Sequence, residues 1–471
     1  MSSIGSLLSI ARTAMQAQQA TIATAGHNIA NAQTPGYSKQ TANLVARVPE
    51  LRPDGAIGTG VDVHTVTRAR DVLLDTQVRT SSATASGSAA RRDLLKSVEG
   101  ILGSTGDTAL GGALDQFYNA WSDLASNPAS AASKANVRER GISLASAFNG
   151  IADRLDATAT SANESARAQV DQVNNLAKQI AELNVLIVAG DAASGSANDL
   201  KDNRDRLIDK LSQIVPVTVQ NRVNGSVAVN IGGIALVDAA DARSMSLLLG
   251  PTFQVSISGS PEPMRIPDGT LGRTMQFINT DLPGVRAQLD GLASSIVTDV
   301  NARHQTGWSP TAGAAGNWNP ALGPTGSGVD FFDATSATSF TARGIGLSAA
   351  VNASASAVAS SDALNATGNN IVALGMADLR RLAPSASGGD FGTDLRAIVH
   401  AVAVKTSDAA DEATIQDTLR SQADERRTGA TAVSTDEELT NLMKAQQAYI
   451  AASKLVNVVD ELAQSVLAMI K

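Results

Sequence analysis

Apolar residues near the C-terminal end of the chain fall into two adjoining rows. Leu442, Tyr449, Val456, Ala463 and Ile470 recur every seven residues, and Leu455, Val459, Leu462, Val466 and Met469 run beside them in steps of four and three. Together they make one broad apolar stripe on a predicted helix of roughly 35 residues, about 50 Å long. Ser434 and Glu437 stand three apart just before it, the spacing of a capping box in which each side chain satisfies a helix-start N–H. Nothing nearby in sequence can cover that stripe, so a partner is required. The other end of the chain repeats the pattern. Ile4, Leu8, Ala11, Met15, Gln18, Ile22, Ala25 and Ile29 alternate steps of four and three, a coiled-coil seam with one polar position. Thr34-Pro35-Gly36-Tyr37 then stops the first helix. Thr34 precedes a proline and leaves the helical region, and Pro35-Gly36 suits the middle of a type II turn with glycine at positive φ.

Between the ends the pattern is largely helical. After an extended or irregular stretch, 38–65, helices are expected from about Arg68 to Gly100 and over Ala109–Leu124, with Asn127-Pro128 as the start of the next. That one runs to Gly190 on a row including Val137, Leu144, Phe148, Ile151, Leu155, Val173, Ile180 and Ile187, with Gly141 and Asn149-Gly150 as places where it could divide. A row of that length implies partner helices. A further helix spans Asn198–Ile214. The period then switches to that of strands over Val217–Ile266, where Asn224-Gly225 and Gly232-Gly233 mark tight hairpins. Asp281 and Pro283 open another helix, 305–330 is a long loop rich in glycine and proline, and Phe331-Phe332 is expected to tuck that loop onto the sheet. The Ala/Ser-rich stretch 349–370 is weakly specified. Helices resume over Asn370–Arg381 and Asp390–Thr428, the latter stopped by Gly429.

The expected fold is therefore mainly α with a small β part: a long helical bundle or coiled coil whose N- and C-terminal helices pair, with an inserted antiparallel β subdomain. The division it suggests is 1–45 and 430–471 as terminal coiled-coil helices, 46–215, 275–305 and 370–429 as a helical bundle, and 216–274 and 306–369 as a small β-rich or irregular outer part.

Composition narrows the function. The 471 residues carry 37 basic and 45 acidic side chains, net −8, without a basic block, which argues against nucleic acid or a membrane surface as partner. Cysteine is absent, so disulfides and thiolate metal sites are excluded. Aromatic residues are only 3% of the chain, so the cores must be built from Ala, Leu, Ile and Val, which favours closely packed helices. Polar residues interrupt every apolar run well short of the ~18 needed to span a membrane, and Arg12 with a row of glutamines breaks the apolar centre a signal peptide would need.

Catalytic chemistry is not apparent. His27, His64, His304 and His400 are scattered and read as ordinary core or surface histidines. There is no phosphate-cradling loop and no Gly-x-Ser-x-Gly elbow. Asp199, Asp202, Asp205 and Asp209, with Arg204, Arg206 and Lys210, lie on one helix at spacings of three and four and read as a solvated face of ion pairs. No catalytic, cofactor or metal residue is assigned. The candidate assembly interface is Ile4, Leu8, Met15, Ile22, Ile29, Leu442, Tyr449, Val456, Ala463 and Ile470.

Both termini carry a family signature. Asn28-Ile29-Ala30-Asn31 followed by Thr34-Pro35-Gly36-Tyr37 resembles the N-terminal signature of bacterial flagellar axial proteins, the rod, hook and hook-associated proteins. Asp436-Glu437-Glu438-Leu439 through Gln446-Gln447-Ala448-Tyr449 resembles their C-terminal one. The helical middle, with Leu200 to Leu207, Ile214-Val215-Pro216-Val217 and Asp330-Phe331-Phe332, is similar to the hook-associated branch rather than to the β-rich rod and hook proteins. The next helix follows Phe332 within ~40 residues, so the outer β domain of larger relatives should be reduced or absent. The resemblance implies a structural subunit at the junction of hook and filament, without cofactor. Its implied partners are copies of itself, the hook protein, the second junction protein (hook-associated protein 3) and an export chaperone on the C-terminal segment. It implies export by the flagellar type III apparatus without a cleaved signal peptide, to an extracellular position in the flagellum. Another axial protein (distal rod, hook or filament subunit) and a wall hydrolase are the rival readings. Residues 1–40 and 430–471 are expected to be mobile in the free monomer and to fold on assembly.

Overall fold

The computed structural model describes residues 2–468 apart from 53–54, 104–108, 195–196, 249, 251, 261, 309–327, 364–365, 367 and 383–389. Helix α1 (Ser2–Asn31) leads into an antiparallel ribbon of β1 (Gln40–Ala46) and β4 (Val61–Arg68), with β2 (Glu50–Arg52) and β3 (Gly55–Ile57) at its tip. Helix α2 (Val72–Leu102) starts at Asp71, whose carboxylate accepts the N–H groups of Leu73 and Leu74. Helices α3 (Leu110–Ser126), α4 (Ala131–Ser194) and α5 (Asn198–Ile214) follow. Asn127 closes α3 rather than opening α4: its N–H bonds back to the carbonyls of Asp123 and Leu124.

With 64 residues, α4 is about 96 Å long and undivided. Neither expected weak point breaks it, because each is used in packing. A Cβ on Gly141 would stand 2.8 Å from the Phe331 ring, so glycine makes room for that ring. The Asn149 amide donates to the carbonyls of Ala342 and Arg343, both at 3.0 Å.

Two apolar cores share this helix. Its first half buries Val137, Leu144, Phe148, Ile151 and Leu155 against α2, α3, α7 (Leu282–His304), α9 (Ile371–Leu382) and α10 (Phe391–Thr431). Its second half buries Val173, Ala177 and Ile180 against Ile208 and Leu211 of α5 and against the β region. There β5 (Thr218–Asn221), β6 (Val227–Ile231), β7 (Ile234–Asp238) and β8 (Asp241–Ala242) form a meander in sequence order, and β9 (Met245–Leu248) pairs with β10 (Gln254–Ile257). The hairpin turns carry Gly225 at φ +84° and Gly232 and Gly233 at +55° and +85°, conformations that glycine adopts without strain.

Several expectations are corrected. The helix expected to open at Asp281 is continuous with α6 (Gly269–Gln276) through one π turn, Phe277–Asp281, and Asp281 is buried against Arg91 at 3.0 Å. Phe331 and Phe332 do not reach the sheet. They pack among Phe117, Trp121 and His304 in the helical core, and α8 (Ala349–Ala353) with Ala357 and Val358 joins them, so the stretch after them is packed rather than loose. Gly429 does not stop α10, which runs two residues past it. Most of the expected loop 305–330 lies outside the described residues.

His304 is fully buried in this core. Its Nδ1 lies 2.7 Å from the Val329 carbonyl and its Nε2 accepts the Ala359 N–H at 3.0 Å, which the neutral ring with its proton on Nδ1 satisfies. Burial brings its pKa down to about 4 from the ordinary 6.5. The unfolded chain therefore takes up a proton that the folded one refuses. Stability should be full above the ordinary value and fall as pH drops toward 4, by on the order of 3 kcal/mol. Denaturant unfolding of the wild type and of His304→Gln between pH 4 and 7 checks this; equal pH slopes would contradict it.

Candidate assembly interface

Helix α11 (Thr435–Ala468) lies antiparallel to α1, so the two ends of the chain are neighbours. Ser434 receives the Glu437 N–H at 3.4 Å, while the Glu437 carboxylate turns instead to Lys39 Nζ at 2.9 Å. Asp436, Glu437 and Glu438 occupy the first turn of α11, where the helix dipole favours negative charge.

Few apolar side chains of the two helices are fully buried. Ala11, Ala17 and Ala25 of α1 and Ala445 and Val459 of α11 are buried. The candidate residues Ile4, Met15, Ile22 and Ile29 are half-buried, as are Leu442, Tyr449, Val456 and Ala463; Leu8 is exposed, and Ile470 lies outside the described residues. Gln19 Nε2 reaches Tyr449 Oη at 3.5 Å. The seam read from the sequence thus faces the chain's own other end. Flanking residues that the seven-residue reading passed over or placed inside are the open ones: Leu439, Met443 and Ile450 on one side of α11, Leu455, Val458 and Leu462 on the other, and Leu7 beside Leu8 on α1.

Polar chemistry fixes the pair at its base. Thr34-Pro35-Gly36-Tyr37 closes a turn in which the Tyr37 N–H donates to the Thr34 carbonyl at 3.1 Å and Gly36 has φ +81°. The turn returns Tyr37 onto α1, where its hydroxyl donates to Asn28 Oδ1 at 2.8 Å and sits 3.1 Å from His27 Nδ1. Asn28 is fully buried. Its Oδ1 also accepts the Gln40 N–H at 2.9 Å, and its Nδ2 donates to the Gln40 carbonyl at 2.8 Å and to Glu438 at 2.9 Å. One amide therefore ties together α1, β1 and α11. Glu438, 3% exposed, is further held by Lys39 at 3.4 Å. Burial, then the carboxylates of Asp199, Asp202 and Glu438, raise the Tyr37 hydroxyl far above its usual range, so it stays a donor. Gly36→Val places a β-branched residue at positive φ and should cost ~1–3 kcal/mol, loosening the exit of α1. Wild-type spreading in a swarm plate would contradict this.

The same segment is joined to the bundle by α5. Ser38 donates to Asp202 through both its N–H (3.0 Å) and its hydroxyl (2.8 Å), and Gln40 Nε2 donates to Asp199 at 2.9 Å. Arg68 spans Asp202 (2.6 Å) and Asp205 (2.9 Å); Arg79 of α2 spans Asp205 (3.4 Å) and Asp209 (2.8 Å); Arg427 of α10 reaches Asp209 at 2.6 Å. Of the acidic row on α5, read from the sequence as a solvated face, Asp202 and Asp205 are buried and Asp209 part-buried in a ladder of pairs to other elements, while Asp199 stays exposed. Arg204 is buried as well, donating to Asn184 Oδ1 and the Gly225 carbonyl, and burial brings its pKa down to about 10. Burial pushes the Asp205 carboxyl up, but Arg68, Arg70, Arg79 and Arg204 outweigh it and hold it below the usual range. Among the described residues, neither apolar core contains a residue of α1, α11 or the ribbon. The terminal pair is attached to the body by polar bonds, and its apolar flanks face outward.

Known proteins match this chain over nearly its whole length. Residues 95–317 match the family model for the helical domain of flagellar hook-associated protein FlgK. Residues 430–469 match that for the C-terminal part of flagellar basal body rod FlgEFG proteins, and residues 8–37 that for flagella basal body rod proteins. Flagellar hook-associated protein 1 of Bacillus subtilis is 28% identical, with 98% of this chain and 97% of that protein aligned. The Escherichia coli protein of the same name is 29% identical over 66% of this chain and 59% of its own length, so this chain spans about three fifths of that relative. The flagellar hook junction protein FlgK from Burkholderia pseudomallei has the same fold, with a TM-score of 0.62 over 76% of this chain and all of that one, at 15% identity. Matched at both ends and through the helical domain between them, the chain resembles flagellar hook-associated protein 1 along nearly its whole length.

Proposed function

We propose that this chain is a non-enzymatic subunit of the junction between flagellar hook and filament, assembling with copies of itself through its terminal helices. The observation that carries this is the α1–α11 pair: exposed apolar side chains on its flanks, few side chains fully buried within it, and polar bonds joining it to a body with its own apolar cores. Exposed apolar rows of that extent mark a surface that another protein covers. Residues 1–45 and 430–471 form the inner wall of the tube, and 46–429 stand outside it. The hook protein and the second junction protein (hook-associated protein 3) are its axial neighbours. A chaperone shields the C-terminal stripe before export through the flagellar type III apparatus. Electron microscopy of flagella carrying a label on the exposed face of α9 tests this. Label confined to a short zone between hook and filament is expected; label along the rod, the hook or the filament would overturn it.

A further inference from the structure

We infer that the body is jointed: its β-bearing half tilts against its helical half at a waist between the two apolar cores, about the π turn Phe277–Asp281. Among the described residues, Ile278 in that turn is alone in packing against both cores. The long helices that cross the same level turn only small side chains inward. Between Leu155 and Val170, a span of about 22 Å, α4 buries only Ala162 and Ala166. Between Arg79 and Leu95, α2 buries Ser82, Ala83, Ala85, Gly87 and Ser88. Beyond Val402, α10 buries Thr406, Ala409, Ala413 and Ala423. Ser88 meets Glu412 at 3.1 Å, which sets these stretches of α2 and α10 side by side. A Cβ on Gly87 would stand 2.9 Å from the Gly269 carbonyl, so α2 and the start of α6 touch backbone to backbone.

Helices resist relative motion where the side chains of one lock into the grooves of the other. Faces of alanine, serine and glycine carry no tall ridges and slide by the small amounts that a shear motion needs. Between α6 and α7 the widened π turn takes up the change, a departure from regular helix that is frequent at functional sites. Helix α4 is unbroken, so the joint bends as a gentle curve. The waist has room on one side. A cleft of about 290 Å³ lies between Asn163 and Arg167 of α4, Phe253 before β10, and Ile278, Asn279 and Pro283. Asn279 ties its rim: Oδ1 accepts the Phe253 N–H and Nδ2 donates to the Phe253 carbonyl, both at 2.8 Å. On the α2–α10 side the links are polar, Arg91 to Asp281 at 3.0 Å and Arg273 to Glu412 at 3.1 Å. Tilting that narrows the cleft therefore breaks no apolar interlock, and the Asn279 clamp limits the opposite swing. Such a joint lets the β-bearing half follow a neighbour while the helical half stays in place. It belongs to the free chain, so its test does not depend on the assembly reading.

The chain has no cysteine, so spin labels can be carried by thiols introduced at exposed positions. Thr298→Cys on α7 and Asp241→Cys on β8 make a pair across the waist. Thr298→Cys with Asp123→Cys, and Asp241→Cys with Gln213→Cys, are pairs within one half. Double electron–electron resonance on the free chain should give a distance distribution about twice as wide across the waist as within either half. Equal widths would overturn the inference. Asn279→Ala should widen the distribution across the waist further and leave the other two unchanged. No further widening would overturn the role given to the cleft and its clamp. Widening of all three pairs alike would also overturn the inference, since the motion would not be confined to the waist.

Discussion

Asp205→Ala should destabilise the chain by ~1–3 kcal/mol, because it removes a buried charged hydrogen-bond partner shared by Arg68 and Arg79, which keep Asp202 and Asp209 respectively. Asp205 lies between Arg68 and Arg79, with Arg70 and Arg204 close enough to help depress its pKa. The loss falls first on the joint between the terminal helices and the bundle, since Arg68 ends the ribbon and Arg79 stands on α2. Protease cleavage between the ribbon and α2 should therefore rise before the bundle melts. Because the Asp205 carboxyl is held below its ordinary range, this contribution is complete at neutral pH and is lost only in acid, as the pH falls through that depressed value. Urea unfolding at neutral pH is the check; a loss under 1 kcal/mol would mean that the ladder of pairs does not hold the joint.

Ile22→Asp or Val456→Asp should abolish incorporation while leaving the body folded. Both residues are half-buried in the α1–α11 seam, where an unpaired carboxylate costs several kcal/mol, more than the lost aliphatic contributed. Neither belongs to the two cores on α4, so the main unfolding transition should not shift. Normal motility of such a mutant would contradict the role given to the terminal pair, and a large shift of the main transition would show that the body depends on it.

Much of the fold is written in periodicity. The rows on α1, α4 and α5 and the Asn224-Gly225 hairpin are one-dimensional signals, and the elements they predict are present. What the sequence conceals is which elements meet. The acids on α5 have basic residues at helical spacing, so local pairing is the economical reading; their actual partners Arg68, Arg79 and Arg427 lie far away in the chain. Phe331 follows a long polar loop, and nothing near it shows that Gly141 has left a place for its ring. On α11 the seven-residue row identifies the side facing α1, because pairing of two helices imposes that repeat. The open flanks carry only shorter rows, Met443 with Ile450 and Leu455 with Leu462, and they become visible as a surface only once α1 is in place. Asn28 and Tyr37 were legible as a signature, but their use in tying α1 to Gln40 and Glu438 required the fold.

The central claim is that the terminal helices complete their packing in the assembled flagellum. Amide hydrogen exchange over Leu442–Ala468, measured on the dilute free chain and on isolated flagella, tests it most directly. The account predicts rapid exchange in the free chain, where few side chains of the two helices are fully buried, and strong protection after assembly. Strong protection of the same amides in the dilute free chain, without partner or chaperone, would contradict it.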